Sequence, residues 1–242
     1  APITVILNAY RRPYNLKMQI DAIQKQTTRP TQIWLWVNQH EDNDGFNFKE
    51  LDLDRVFHND YNWKFYGRFA AALLADTEYV AIFDDDTIPG ERWLENCLET
   101  MKTNEGILGS AGVILNDKYY VQHDRCGWPT QNSETTRVDL VGHAWFFKRE
   151  WLSYLWREKP TTWESTYGAA PYTSGNSLLW NDVATHSGRF GKQGISNYIP
   201  VDASGNLLDP LASKLISSYD VQGRSLPWKF GDQAPAETAW RR

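Results

Sequence analysis

Residues 79–83, Tyr-Val-Ala-Ile-Phe, are apolar without alternation and run straight into three aspartates, Asp84, Asp85 and Asp86. A short run of β-favouring residues with no polar face reads as a strand buried on both sides in an α/β sheet. Residues 3–8 give a second such strand. Residues 14–26 place Leu16, Ile20 and Ile23 at helical spacing. Residues 32–38 carry Ile33, Leu35 and Val37 on alternate positions and read as a strand that ends in Asn38-Gln39. Residues 41–54 are polar and loop-like, 55–57 form a short third strand, and 63–75, rich in Ala and Leu, form a helix. The order β-α-β-(β)-α-β predicts a mainly parallel sheet with crossover helices. It also gathers three strand ends, at Asn8, Asn38 and Asp84, at one edge.

Past the triplet, 91–102 reads as a helix and 107–115 as a strand, with 118–124 pairing back onto it around Asn116-Asp117. A polar loop follows over 127–137, then a strand over 138–147 and a short helix over 150–156. Residues 159–175, rich in Thr, Tyr, Pro and Gly, have no periodicity and suit an acceptor or lid loop. A helix over 178–187 contains Asn181-Asp182, a last strand spans 194–200, and the tail from 202 is mixed. No repeat or linker interrupts the chain. The expectation is one α/β domain over 1–242, with a nucleotide-binding half over about 1–105 and an acceptor-binding half over about 106–242. There is no Gly-x-Gly-x-x-Gly and no Walker loop, which disfavours a dinucleotide fold and a P-loop.

Composition narrows the class. A hydrophobic content of 41% over 242 residues supports a full core, and a net charge of −5 gives no basic footprint for nucleic acid. No apolar run approaches the ~20 residues of a membrane span. Cys97 and Cys126 are far apart, lack metal spacing and suggest a reducing compartment. The chain enters a strand at Ile3 and shows no leader, so a cytoplasmic location is expected, with a removed anchor left open. Twelve Trp are unusual and suit sugar or base platforms as well as core.

The triplet carries the chemistry. At the carboxyl end of a buried strand it sits where open α/β sheets bind ligands. Adjacent carboxylates repel one another unless a cation lies among them. Mg²⁺ or Mn²⁺ suits oxygen ligands and is commonly shared with phosphates. A metal–diphosphate site is therefore expected. Three other readings compete. The aspartates could cap the 91–102 helix, which accounts for one of them. An EF-hand loop would need Gly where Pro89 stands. An aspartyl-nucleophile phosphatase would carry the cluster on its first strand.

The triplet and its surroundings resemble the DxD motif of GT-A glycosyltransferases, with an order of features similar to the exostosin-like family (glycosyltransferase family 64) and more loosely to family 2. Residues 3–12 resemble the opening strand with its aromatic and Arg. Residues 33–39 resemble the second strand ending in Asn, and 62–69 the Asn/Arg segment. Residues 84–87 match the triplet, 141–147 a Gly-x-x-Phe-Phe strand, and 181–184 an Asp-Asp-Ile-Ala helix with Asn181 for the first Asp. The resemblance implies a GT-A fold, a single Rossmann-like mixed sheet flanked by helices. It implies transfer from a nucleotide-sugar, usually a UDP-sugar, to a glycan or other hydroxyl acceptor, with Mn²⁺ or Mg²⁺. It assigns Arg12, Asn38, Asn62 and Arg68 to uracil, ribose or diphosphate, with Asp85 beside them. Asp84 would touch ribose or base and share the metal, Asp86 would coordinate the metal, Asp182 would face the reacting sugar, and Arg224 matches a late Arg.

Chemistry gives several of these residues a second reading. Arg12, Arg68 and Arg224 could stabilise a departing diphosphate or form surface ion pairs. An inverting enzyme needs a carboxylate base near the acceptor, for which Asp182 and Asp139 are the candidates, whereas a retaining one would use Asp182 to orient the acceptor. Asp139 could equally bond backbone at a strand start. His143 could ligate the metal or be a hydrogen-bonded core residue, and His186 could be a ligand or solvated. Trp145, Trp163, Tyr167 and Tyr172 are acceptor-platform candidates, with core packing the competing role for Trp145. A sugar-phosphate nucleotidyltransferase, which would open on a Gly-rich loop, and a non-catalytic carbohydrate-binding module are the alternative functions.

Overall fold

The computed structural model describes residues 1–63, 66–116, 123–127, 132, 134–153, 196–200 and 214–215. Strand β1 (Ile3–Ala9) is buried along its whole length, which is why it is apolar on both faces. Pro13 opens a single 3-10 turn, where its fixed φ suits a helix start, and the turn leads into α1 (Leu16–Gln24). Strand β2 (Gln32–Val37) follows. The polar segment 41–54 holds two single 3-10 turns, Glu41–Asn43 and Phe48–Glu50, and leads to β3 (Arg55–His58). Helix α2 (Tyr66–Ala72) is shorter than the 63–75 expected. Beyond it the amides of Leu73, Leu74 and Ala75 donate to carbonyls three residues back, a tightening that ends the helix.

Strand β4 (Tyr79–Phe83) has the expected bounds. The chain then makes a two-residue strand β5 (Thr87–Ile88), α3 (Trp93–Met101), β6 (Gly106–Leu115) and β7 (His123–Gly127). Strands β8 (Thr136–Val138) and β9 (Leu140–Lys148) replace the single strand expected over 138–147. The break falls at Asp139, because Val138 pairs with β10 (Ser196–Ile199) while the Asp139 amide donates to the Val113 carbonyl at 2.9 Å. A last short strand, β11 (Lys214–Leu215), pairs with β5. The short helix expected over 150–156 begins as a 3-10 turn, Arg149–Trp151, and its end lies outside the described residues.

The main sheet has the order β3-β2-β1-β4-β9-β6-β10-β8, with β7 on β6. Its first four strands are parallel, and β9 joins antiparallel to both β4 and β6. The chain leaves β1 toward β2 and β3 and returns to β1's other side with β4. The switch in strand order therefore lies between β1 and β4, and the register Leu7↔Phe83 and Ala9↔Val37 brings Asn8, Asn38 and Asp84 to one edge. This is an α/β fold of GT-A type, a mixed sheet flanked by helices. Helix α2 lies close on β2, since a side chain at Gly67 would run into the Trp36 indole. Among the described residues no helix is long and apolar enough to cross a membrane.

The core under the switch point is aromatic. Tyr79 stacks on Phe146 at 5.2 Å, Trp93 meets Phe83 at 4.9 Å and Phe146 at 6.1 Å, and Phe69 packs on Trp145 and Phe147. Phe146 thus joins β9, β4 and α3. Phe146→Ala should cost about 3–5 kcal/mol of stability, read as a lowered denaturant midpoint with an unchanged slope.

Candidate active site

Each aspartate of the triplet has its own surroundings. Asp85 turns toward β1: its Oδ1 accepts from Arg12 Nη1 at 2.6 Å, and its Oδ2 from the Arg11 amide at 3.4 Å. The same Arg12 nitrogen donates to Asp86 Oδ2 at 2.9 Å. Arg12 is only 2% exposed, with Asp85 and Asp86 buried beside it. Its guanidinium therefore meets the site through the carboxylates rather than across open solvent. Burial works against its charge, but Asp85, Asp86 and Asp84 outweigh burial and hold its pKa above the ordinary value. Asp84 is partly exposed and ion-pairs with Arg68 from α2. Arg68 is itself buried, with its guanidinium carbon 4.7 Å from the Trp145 ring centroid, so the surface-pair reading does not apply to it.

The backbone of the triplet is held by α1 and the 3-10 turn that precedes it. Gln19 Nε2 donates to the carbonyls of Asp84 at 2.6 Å and Thr87 at 2.8 Å, and Asn15 Nδ2 donates to the Asp85 carbonyl at 3.1 Å. Asn15 and Gln19, one turn apart, are buried on the same face as Leu16, Ile20 and Ile23. Sequence reasoning missed them. The available signal was an amide at an apolar-face position, Gln19 between Leu16 and Ile20.

His143 comes from β9, whose Ala144 is level with Phe83. Between the pairs Gly109↔Trp145 and Ala111↔Gly142, β6 contributes one residue and β9 two, a β-bulge. His143 occupies the bulge with φ +67°, the left-handed region that costs a β-carbon residue about 1–2 kcal/mol. Its carbonyl accepts from the Asp84 amide at 3.0 Å, and its Nδ1 lies 3.8 Å from Asp84 Oδ2. Burial lowers its pKa, with Asp84 opposing and Arg125, Arg12 and Arg68 assisting, which favours the neutral imidazole that can ligate a metal. One ligand atom each from Asp84, Asp86 and His143 lie within 4.8 Å of one another. Two carboxylates and an imidazole form a donor set suited to a divalent ion such as Mn²⁺.

The other expected residues fall in three groups. Asn38 is buried; its Oδ1 accepts from Trp36 Nε1 at 2.9 Å and the Trp63 amide at 3.1 Å, and its Nδ2 faces Asn8 Oδ1 at 3.4 Å. It ties the ends of β1 and β2 to the segment carrying Asn62, which is half-buried ahead of α2. Asp139 is exposed at the β8–β9 junction, four residues from His143 and so roughly 13 Å along an extended chain. Its carbonyl accepts from Asn197 Nδ2 at 2.9 Å. Trp145 is a core residue whose Nε1 donates to the Val141 carbonyl at 3.2 Å. Asp182, His186, Arg224, Trp163, Tyr167 and Tyr172 lie outside the described residues.

A cluster of aspartates at the switch point of a mixed α/β sheet is the arrangement that the GT-A resemblance leads one to expect. The sequence profile described as glycosyl transferase family 2 matches residues 4–156, more than half of the chain, and the chain belongs to that family. This is the looser of the two resemblances drawn from the motifs. No curated protein matches the chain by sequence. Among solved structures it is similar to S. aureus TarS, at 13% identity with a TM-score of 0.53, over 84% of this chain and 36% of TarS. It is similar also to the TarS 1–349 structure, at 13% identity with a TM-score of 0.52, over 84% of this chain and 59% of that one. The chain therefore spans between a third and three-fifths of those proteins, and at this identity the likeness is one of fold.

Two outcomes follow from this geometry. Gly carries no left-handed penalty, so His143→Gly should be more stable than His143→Ala by about 1 kcal/mol, measured by paired denaturant melts. Asp86 is raised to about 7, chiefly by burial, with Arg12 opposing and Asp85 and Asp84 adding. The folded chain then holds this proton more tightly than the unfolded chain, so the stability that Asp86 contributes is present at acid pH and is lost as pH rises through about 7. The lowered pKa values of His143 and His40 contribute the opposite trend over the same range, so the test is a comparison. With chelator present, the melting temperature of the unsubstituted protein should fall further, or rise less, from about pH 6 to about pH 8 than that of Asp86→Asn in scanning calorimetry.

Proposed function

We propose that this chain transfers a sugar from a nucleoside-diphosphate sugar, with UDP as the nucleotide, to a hydroxyl of a glycan or other acceptor. The observation that carries this reading is the convergence of Asp84, Asp86 and His143 beside the switch point of the sheet. Membership of family 2 supports sugar transfer, and the exostosin-like order of motifs supports UDP. Mn²⁺ or Mg²⁺ held by these three side chains would supply positive charge for the departing diphosphate.

The chain's own residues divide the remaining work. Arg68 pairs with Asp84 and limits the rotamers open to that carboxylate. Asn15 and Gln19 fix the backbone of the triplet, so its side chains hold position as a nucleotide enters. Asn38 and Asn62 border the edge where the base and ribose would lie. Asp182 serves as base or as the group that positions the sugar, with Asp139 as the alternative and Arg224 as a further cation for the leaving group. The nucleotide half spans about 1–105 and the acceptor half about 106–242. Cys97 and Cys126, both free thiols, accord with a reducing, cytoplasmic setting.

Calorimetric titration of UDP, GDP and CMP, each with and without Mn²⁺, tests the reading. UDP should bind only with metal and more tightly than GDP or CMP, and Asp86→Ala should abolish that binding. Equal UDP affinity with and without metal, or an unchanged Asp86→Ala protein, would overturn it. Asp182→Asn should keep Mn²⁺–UDP binding and lower turnover by roughly 10²-fold; near-normal turnover would move the role to Asp139.

A further inference from the structure

A buried Arg12 competes with a metal ion for the charge of the same carboxylates. A cation nearly as buried as the core lies between two of three carboxylates, at 2.6 Å and 2.9 Å from a single nitrogen. Arg68 neutralises the third. With all three carboxylates ionised, as metal binding requires, two guanidiniums leave one net negative charge. A divalent ion entering that site reverses it to one net positive charge. Without Arg12 the metal-loaded centre would be neutral and would draw a diphosphate less strongly, while the metal-free site would hold a bare ion more tightly.

We propose that Arg12 is the built-in counter-ion of the site: it restrains uptake of the bare divalent ion and leaves the loaded centre positive, so that metal and nucleoside diphosphate are taken up together. The inference rests on the metal–nucleotide reading above and adds the reason that reading gives no account of, a buried arginine shared by two carboxylates. Arg12 acts through Asp85 and Asp86 and is a positioning residue. Asp85 has both oxygens engaged on the β1 side, by Arg12 and by the Arg11 amide, and belongs to this counter-ion rather than to the Asp84–Asp86–His143 group.

The test measures two affinities in the full chain, Mn²⁺ alone by the electron paramagnetic resonance of the free ion, and UDP by calorimetry at saturating Mn²⁺. Arg12→Met should bind Mn²⁺ alone more tightly and UDP more weakly, each by about tenfold or more, a lower bound for removing one unit charge a few ångströms away at an effective dielectric near 20. Arg12→Lys keeps the charge and should stay near wild type in both. Asp85→Asn removes one negative charge and should shift both affinities in the opposite sense to Arg12→Met. It carries the test by itself if Arg12→Met does not fold. An Arg12→Met protein that melts like wild type and changes neither affinity would overturn the proposal, as would equal losses in the Met and Lys variants, or an Asp85→Asn protein that shifts neither affinity or shifts them as Arg12→Met should. Wild-type protein that takes up Mn²⁺ neither alone nor with UDP would overturn the metal reading itself and this role with it. Metal-dependent UDP binding with the wrong sign in the variants would overturn only the role of Arg12.

Discussion

Asp85 and Asp86 share one buried nitrogen of Arg12, and much of the site follows from that contact. Two unit charges about 4 Å apart interact by about 4 kcal/mol at an effective dielectric near 20. A domain's whole stability is only about 5–15 kcal/mol. Three adjacent carboxylates at a sheet edge would consume much of that margin if cations were not folded in with them. Arg12 can reach them because β1 lies directly beside β4, parallel and in register, so that the turn after Ala9 passes next to the turn after Phe83. The position of β1 in the centre of the sheet is therefore an electrostatic requirement as well as a packing one.

The same edge is over-determined by hydrogen bonds. Side-chain amides of Gln19 in α1 and of Asn15 in the turn before it grip the carbonyls of Asp84, Asp85 and Thr87, and the amide of Asp84 is held by the carbonyl of His143. That last contact joins the triplet to β9, and β9 must bulge to make it. The bulge puts a residue with a β-carbon into left-handed backbone, a cost that the surrounding pairs with β4 and β6 absorb. Strain of this kind persists where the neighbouring structure fixes it, and it often marks a working site. Here it sets an imidazole beside two carboxylates, which regular pairing of β9 with β6 and β4 would not provide.

Several elements were legible because their cause is local. The apolar run 79–83 had to be a buried strand, and β4 has those bounds. Strands β1, β2 and β6 are read within one residue of their ends, and the gathering of Asn8, Asn38 and Asp84 follows from the β-α-β order. Less legible were features set by pairing with distant segments. The split at Asp139 exists because Val138 finds a partner in Asn197, nearly sixty residues on. Strand β5 exists because Lys214 and Leu215 lie beside it. Gln19 sits in an apolar stripe, and only the tertiary fold shows that it faces carbonyls instead of solvent.

For the site, the sequence by itself determined that carboxylates stand at the end of a buried strand, since an apolar run followed by three Asp admits little else. It also determined that arginines and asparagines stand near the other strand ends. What each of them touches was decided by tertiary structure. Arg12 turns inward to Asp85 and Asp86, Arg68 is buried under Asp84 against Trp145, and Asn38 bonds to neighbouring backbone and side chains. The reason is physical. Burial of an apolar run depends on its own residues, whereas the partner of a charge depends on which distant segment the fold brings within a few ångströms.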